Sequence, residues 1–529
     1  MSVKLHFHGA ARTVTGSSYV IETEKARVMV DCGMFQGSKT EQELNYRPMA
    51  CDPSKVTAML LTHAHIDHSG LIPKFVKHGF SGAIHATAAT AELCEVMLAD
   101  SAHIQQVEVK NLNERNRRRD LPEVEPIYDI LDVEKAVGLF RGQPYHNWFE
   151  PAPGIRARFW NAGHLLGSAS IEVEVEDGGK RLRILFSGDI GPEFKLLEPD
   201  PEAPSGFDYV LCESTYGARE RNDRDENSRR AHLKAEVQLA IKRGGVMLIP
   251  SFAVERTQEL MTDLAILIER KELPQLPVFI DSPLAMRASR IFERHARELE
   301  NGRLLQKAFS SSEVRLIESI EDSKTLNRLS GTHIIIAASG MCEAGRIRHH
   351  LRNRLWQPQT TVLLAGFQAE GTLGRMLESG AKRVRIMGEE VGVRAAIRKI
   401  DEYSGHADGR ELKEWIEERL PISRGLFLTH GEDEAQLGLA NRLSGIVPPE
   451  RIFRPSLDEV YELSGSEPKL VETEQPRRLA ADQLSRVDWH NDLASLMLDI
   501  NQELRQAADE RSRQKIIRRL RRALEEQAT

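Results

Sequence analysis

The stretch Thr62-His63-Ala64-His65-Ile66-Asp67-His68-Ser69-Gly70 gathers four metal-competent side chains within six residues. Three imidazoles and a carboxylate suit zinc or a similar borderline divalent ion. The preceding run, Val56-Thr57-Ala58-Met59-Leu60-Leu61, is apolar and reads as a buried strand. The cluster therefore falls where a strand hands over to a loop. A histidine-rich segment can also be a solvated loop or a packed patch. Against that, unpaired buried imidazoles are costly, and chance rarely sets His-x-His-x-Asp-His behind a strand. The segment reads as part of a metal site that the rest of the chain must complete.

Other strand-like runs end in the same kind of residue. Ala26 to Val30 ends at Asp31, Phe159 leads through glycine to His164, Arg181 to Phe186 leads to Asp189, and Leu426 to Leu428 ends in Thr429-His430. Asp31 suits the role of a partner that orients a ligating histidine, although an Asp before a glycine is also a common turn former. A single histidine after a strand is usually structural. Several such ends following the His-x-His-x-Asp-His loop are not independent of it. Tyr403-Ser404-Gly405-His406-Ala407-Asp408 is a further site-like segment.

The elements that must position these residues change in texture along the chain. Residues 1–60 alternate short strands (Val3 to Phe7, Ser18 to Ile21) with glycine turns, and helices are expected over Leu71 to His78 and Thr87 to Asp100. The basic run Asn111 to Asp120 reads as a solvated helix end or loop, with phosphate contact as the alternative. From about residue 208, strands (Tyr209–Glu213, Val246–Pro250, Val278–Asp281, His333–Ala338, Thr361–Ala365) alternate with helices (Arg229–Lys242, Glu255–Arg270, and one from Ala285). Continuous apolar strands alternating with helices predict a parallel sheet covered on both faces. Ligands bind such sheets at the carboxyl ends of the strands. Ser339, Gly340, Gln368, Thr372 and Arg375 lie there, in glycine turns whose backbone N–H groups suit phosphate. Such turns also serve as plain strand-to-helix punctuation.

At 529 residues, two or three domains are expected. The net charge of −7 gives no global field favouring nucleic acid, which leaves a local basic groove open. No run approaches membrane-spanning length and the N-terminus lacks a signal-peptide core. Five scattered cysteines without Cys-x-x-Cys spacing read as buried thiols of a reducing cytoplasm. Beyond about Gly465, Leu493, Leu496, Met497, Ile500 and Leu504 recur at helical spacing, as do Ile516, Leu520 and Leu524. Seven of the twelve residues from Arg511 to Arg522 are basic. This tail reads as a helical pair packed on the body or on a second subunit, in which case the protein is a homodimer. RNA contact by its basic face is the alternative.

The segments together resemble the beta-CASP branch of the metallo-beta-lactamase superfamily, the nucleases that include ribonuclease J and the endonuclease of pre-mRNA 3′-end processing. The resemblance spans roughly residues 1–465. Asp31 matches the first lactamase motif, His63, His65, Asp67 and His68 the second, His164 the third and Asp189 the fourth. Glu213 in Glu213-Ser214-Thr215-Tyr216-Gly217, His406 and His430 match the three motifs particular to the branch.

The resemblance implies an α/β protein: an αββα lactamase fold (residues 1–207 and 396–465) with an inserted parallel-sheet cap domain (208–395), followed by a helical extension (466–529). It implies two zinc ions, one held by His63, His65 and His164, the other by Asp67, His68 and His430. Asp189 would bridge them and Asp31 would orient a ligand. Hydroxide attack in line on phosphorus is the implied chemistry, with Asp67, Asp189, Glu213 and His406 as catalytic residues. His406, held by Glu213, would protonate the leaving oxygen. The expected activity is endonucleolytic, with 5′-to-3′ exonuclease action in addition. A histidine at position 430 points to RNA, whereas DNA-repair members carry an apolar residue there, and the expected substrate is single-stranded. A DNA nuclease of the same architecture and a non-catalytic scaffold subunit are the competing readings. The intact ligand set argues against the scaffold.

Overall fold

The apolar runs that end at polar turns become the strands of three main sheets. The computed structural model describes residues 3–177, 180–221, 226–366, 368, 371–463, 467–472, 477–479, 500, 503–504 and 509–525. The first sheet has eight strands, ordered Pro468–Val471, Val460–Leu463, Val3–Phe7, Tyr19–Glu22, Arg27–Val30, Ala58–Leu60, Ala83–Ala86 and Phe140–Gly142. The second has seven, ordered Ile452–Phe453, Ile422–Thr429, Phe207–Glu213, Lys180–Phe186, Ala169–Asp177, Ile155–Asn161 and Phe149–Ala152. Period-two alternation sends one face of each inward. Leu5, Phe7, Val28 and Val30 of the first sheet meet Ile171, Val173, Ile184 and Phe186 of the second in a buried core. Helices Ile72–Lys77 and Ala88–Arg117 lie outside the first sheet, and Gly409–Glu418 and Asp433–Arg442 outside the second. The body is thus an αββα sandwich.

The third sheet is parallel throughout and forms the inserted cap. Its order is Val314–Leu316, Val278–Ile280, Ile334–Ala337, Met247–Pro250, Thr361–Ala365 and Ala396–Ile400. Helix Arg256–Glu269 packs on one face, and Ile347–Arg354 with Leu373–Glu378 on the other. One apolar cluster runs from the body's Leu93, Leu98 and Leu197 to the cap's Leu260, Leu264 and Phe292. Cap and body therefore share a core.

Two strands fall on the other side of the expected domain limits. Phe207–Glu213, placed by sequence at the start of the cap, pairs in parallel with Lys180–Phe186 and Ile422–Thr429 in the body. Ala396–Ile400, expected in the returning body segment, pairs with Thr361–Ala365 of the cap. Parallel strands buried on both faces look alike in sequence whichever sheet holds them, so composition alone could not assign these two. The long helix continues beyond the expected Asp100 to Arg117, and its last turns are exposed, so Asn111 to Arg117 is a solvated helix end. In the tail, Glu510–Glu525 is a helix, while Leu493, Leu496 and Met497 lie outside the described residues.

The pairing directions carry the site. Lys180–Phe186, Phe207–Glu213 and Ile422–Thr429 are mutually parallel, so Asp189, Glu213 and His430 emerge at one end of the sheet. Arg27–Val30 and Ala58–Leu60 are also parallel, which sets Asp31 beside Thr62. The metal-type loop is laced by backbone bonds to the turn after Arg27–Val30, with Cys32 N to His68 O (2.8 Å) and Met34 N to Ile66 O (2.9 Å), and to the segment before Tyr19–Glu22, with Ser17 N to Asp67 O (2.8 Å). Gly33 permits this approach, since a Cβ there would lie 1.7 Å from the Asp67 carbonyl oxygen. Gly33→Ala is expected to cost about 1–3 kcal/mol through backbone displacement. A urea unfolding midpoint equal to that of the wild type would contradict this.

Candidate metal centre

Loop and strand ends bring two groups of donors together. His63, His65, His164 and Asp189 form one group, and Asp67, His68 and His430 the other. Within each group the donor atoms all lie within 4.8 Å of one another. Asp189 is 1% exposed and faces both groups. Its Oδ2 lies 3.5 Å from His63 Nε2 and 3.7 Å from His164 Nε2. Its Oδ1 lies 3.2 Å from His68 Nε2 and 3.4 Å from His430 Nδ1.

The outer ring nitrogens are anchored, which leaves the inner ones aimed at common points. His164 Nδ1 donates to Gly405 O (2.7 Å), and His68 Nδ1 donates to Asp31 Oδ2 (2.8 Å). His63 Nδ1 sits 3.1 Å from Thr62 Oγ1, and His430 Nδ1 3.1 Å from Thr215 Oγ1. Facing inward, His65 Nδ1 is 3.2 Å from His63 Nε2 and 3.1 Å from His164 Nε2, while His68 Nε2 is 3.2 Å from His430 Nε2. In the His63, His65 and His164 group, lone pairs converging at these distances repel unless a cation sits among them. Asp189 Oδ1 is buried without a hydrogen-bond partner, the behaviour of a carboxylate oxygen set to meet a metal ion. The donor set fits a pair of divalent ions.

Electrostatics agree with the tautomers. Burial, and then the charge of His68, hold His63 well below the usual imidazole pKa, and burial with His406 does the same to His164. Burial lowers His65 to about 4. These rings are neutral and offer lone pairs. Burial also opposes charge on His68, but Asp189 and Asp31 outweigh it and raise its pKa well above the usual value. The same two carboxylates would stabilise a metal cation beside it. Asp31 itself is fixed by Thr62, whose N and Oγ1 donate to its two oxygens at 2.8 Å each. Asp31 (φ 58°) and His430 (φ 47°) both occupy the left-handed region, conformations that non-glycine residues adopt at a cost and that cluster at functional sites.

Beside this centre stands a second pair. His406 Nδ1 lies 3.1 Å from Glu213 Oε1 and 3.9 Å from Asp189 Oδ2. Glu213 is locked in turn by Ile190 N (2.8 Å to Oε1) and Thr215 N (3.1 Å to Oε2). Burial disfavours charge on His406, yet Glu213 and Asp189 raise its pKa above the ordinary imidazole value. Three further residues, not evident from the sequence, hold this pair and the neighbouring His164. Tyr216 meets the His406 ring edge-on, with centroids 6.0 Å apart. Arg221 Nη2 donates to the His406 carbonyl at 2.5 Å and pairs with Glu411 at 3.1 Å. Lys195 Nζ donates to the His164 carbonyl at 2.6 Å and pairs with Glu255 of the cap at 2.5 Å. Tyr216 could have been found from its place beside Glu213. Arg221 and Lys195 act through backbone carbonyls, which leaves no pattern in side-chain spacing.

Comparison with known proteins places this geometry in a family. Residues 11–240 match the metallo-beta-lactamase superfamily, 257–377 the Beta-Casp domain, and 390–451 the Zn-dependent metallo-hydrolase RNA specificity domain. The ribonuclease TTHA0252 of Thermus thermophilus is 36% identical over 441 residues, covering 82% of this chain and 95% of that protein. The chain belongs to the beta-CASP family of metallo-beta-lactamase-fold proteins. An RNase J-like protein of Methanocaldococcus jannaschii is 30% identical, covering 83% of this chain and 94% of its own. The transcription termination factor FttA of Methanosarcina mazei is 28% identical, covering 82% and 67%. The solved structure of an Enterococcus faecalis protein of unknown function covers 88% of this chain and 100% of its own at 12% identity and TM-score 0.50, a likeness of fold. Within this family frame the centre is a divalent-metal site.

The five cap residues expected at substrate fall together but are engaged with one another and their surroundings. Gln368 is buried, and its Nε2 donates to the carbonyls of Gly340 (3.1 Å) and Gly366 (3.3 Å). Ser339 Oγ accepts from Glu343 N and Ala344 N at 3.1 Å each. Thr372 caps helix Leu373–Glu378, and Arg375 pairs with Glu378 at 3.1 Å. They knit the carboxyl ends of Ile334–Ala337 and Thr361–Ala365 into one cluster. Arg256, below Gly366, donates to the Tyr403 carbonyl at 2.9 Å and so ties that cluster to the His406 segment.

Replacing Asp31 with Asn would leave the fold intact but remove the carboxylate that fixes His68. Metal affinity by chelator competition should fall roughly 10–100-fold, the usual cost of losing such a partner. Unchanged affinity would contradict the role given to Asp31.

Proposed function

We propose that this protein is a zinc-dependent ribonuclease that hydrolyses phosphodiester bonds in single-stranded RNA, with the metal-ligand and catalytic roles anticipated from the sequence. The observation that carries the reading is Asp189, one carboxylate facing two histidine groups, beside the separately anchored Glu213–His406 pair. A lactamase-type centre explains the first. The second adds a proton donor suited to an alkoxide leaving group. The match to an RNA specificity domain over residues 390–451, which contains His406 and His430, and the relatives named as ribonucleases favour RNA. All-imidazole and carboxylate donors favour zinc. The described residues include no helix long and apolar enough to cross a membrane. The five free cysteines support a reducing, cytoplasmic setting.

His63, His65 and His164 would hold one ion and Asp67, His68 and His430 the other, with Asp189 between them. Such an ion pair supplies Lewis acidity toward the phosphate and makes water a stronger nucleophile. The chain's own residues do the rest. His406 commits Nδ1 to Glu213, so Nε2 is the atom left to give a proton to the departing oxygen. Glu213 keeps the imidazole charged and oriented, Tyr216 and Arg221 hold its plane and its backbone, and the cap is tied to the segments flanking the site by Lys195–Glu255 (2.5 Å) and by Arg256 on the Tyr403 carbonyl (2.9 Å).

The charged form of His406 is favoured in the folded protein, so its contribution is lost only as pH rises through a pKa above the ordinary value. Glu213→Gln removes the principal cause of that rise, and the alkaline limb of the cleavage–pH profile should move to lower pH. His406→Ala should slow single-turnover cleavage about 10²–10⁴-fold while retaining full metal content. A profile unmoved in the Glu213 variant, or metal loss in the His406 variant, would sink these roles. Matched single-stranded RNA and DNA oligomers test the substrate, and preferential cleavage of DNA would reverse the RNA reading.

A further inference from the structure

The seven cations between Arg511 and Arg522 lie on one helix, Glu510–Glu525, and all are exposed. In the body several guanidinium groups are tied to carboxylates: Arg158 to Glu172 (2.7 Å), Arg229 to Asp263 (2.9 Å), Arg398 to Glu236 (2.6 Å), Arg478 to Asp458 (2.8 Å). In the tail helix Arg513 meets Glu510 at 3.6 Å. Among the described residues, Arg511, Lys515, Arg518, Arg519 and Arg521 have no carboxylate within ion-pairing distance. This cluster of five cations occurs in a chain whose net charge is −7.

The spacing makes the arrangement unfavourable by itself. Arg511 and Lys515, Lys515 and Arg519, and Arg518 and Arg522 stand four residues apart, where like charges oppose helix formation. A polyanion laid along the helix relieves that repulsion. At 1.5 Å per residue the cations extend over about 17 Å, a linear track rather than a point site. The opposite stripe is narrow: Ile516 and Leu520 are half-buried and Ile517 is 41% exposed. The helix contains no aromatic residue, unlike the apolar faces by which amphipathic helices enter a lipid surface. It also lies beyond residue 451, where the last family match ends.

We propose that this helix is a phosphate-binding arm that holds single-stranded RNA outside the catalytic cleft. It deepens the ribonuclease reading and rests on it for the choice of polyanion. The arm supplies sequence-independent affinity that the acidic body lacks.

The test uses the full-length protein with Arg511, Lys515, Arg518, Arg519 and Arg521 all changed to Gln, which preserves helix propensity. Circular dichroism and the thermal midpoint check the fold. Affinity for a long unstructured RNA is measured across a salt series, together with single-turnover cleavage of a pentanucleotide at saturation. Binding of the long RNA at low salt should weaken at least about tenfold. Its log–log salt slope should flatten by about 3, near 0.7 for each phosphate that is no longer neutralised. Pentanucleotide cleavage should be unchanged. An unaltered slope would overturn the proposal. So would wild-type binding to anionic vesicles that the variant loses with RNA affinity intact, or a variant that changes oligomeric state without losing RNA affinity. Tail-dependent RNA binding by a wild type that cleaves nothing would sink the nuclease reading and support the arm.

Discussion

The Asp189 carboxylate is the point on which the structure depends. It is a buried anion whose two oxygens look toward two separate sets of imidazoles. A lone carboxylate at 1% exposure would be driven to protonate by desolvation. Here the surrounding histidines and their charges hold its pKa well below the usual range instead. Everything that positions it is backbone geometry: a strand ending at Phe186, a left-handed glycine at 188, and parallel neighbours that deliver Glu213 and His430 to the same edge. The chemistry is concentrated because these strands end side by side.

The cap is joined to this centre through the shared core and through polar links that reach the backbone of His164 and of Tyr403. Lys195, 5% exposed, joins the His164 carbonyl to Glu255, whose pKa burial and Glu259 push up to about 7. Arg256, the next residue, reaches the Tyr403 carbonyl, three residues before His406. A change in the cap's seating on the body is therefore felt at one residue from each half of the site.

Much of the centre was legible in sequence because its donors sit at strand ends, where an apolar run gives way to polar residues and glycine, and the family resemblance joined those ends into one set. His63, His65, Asp67, His68, His164, Asp189 and His430 all stand in that pattern, and the structure brings all of them together. The domain limits were less legible. Phe207–Glu213 and Ala396–Ile400 are buried strands of parallel sheets, and nothing in such a strand records which sheet it joins. The cap turns were legible as turns but not in purpose, since Gln368 spends its amide on two carbonyls that no spacing rule anticipates. Arg221 and Lys195 were invisible for the same reason. They bond to main-chain oxygens, which every residue possesses.

The proposed joining of two metal sites by Asp189 is read out by metal stoichiometry. Inductively coupled plasma mass spectrometry on the purified wild type and on Asp189→Asn, with folding checked by circular dichroism, measures it. Two zinc ions per chain are expected in the wild type, falling to one or none in the variant. Two ions retained by a folded variant with undiminished affinity, or at most one in a fully loaded wild type, would contradict it.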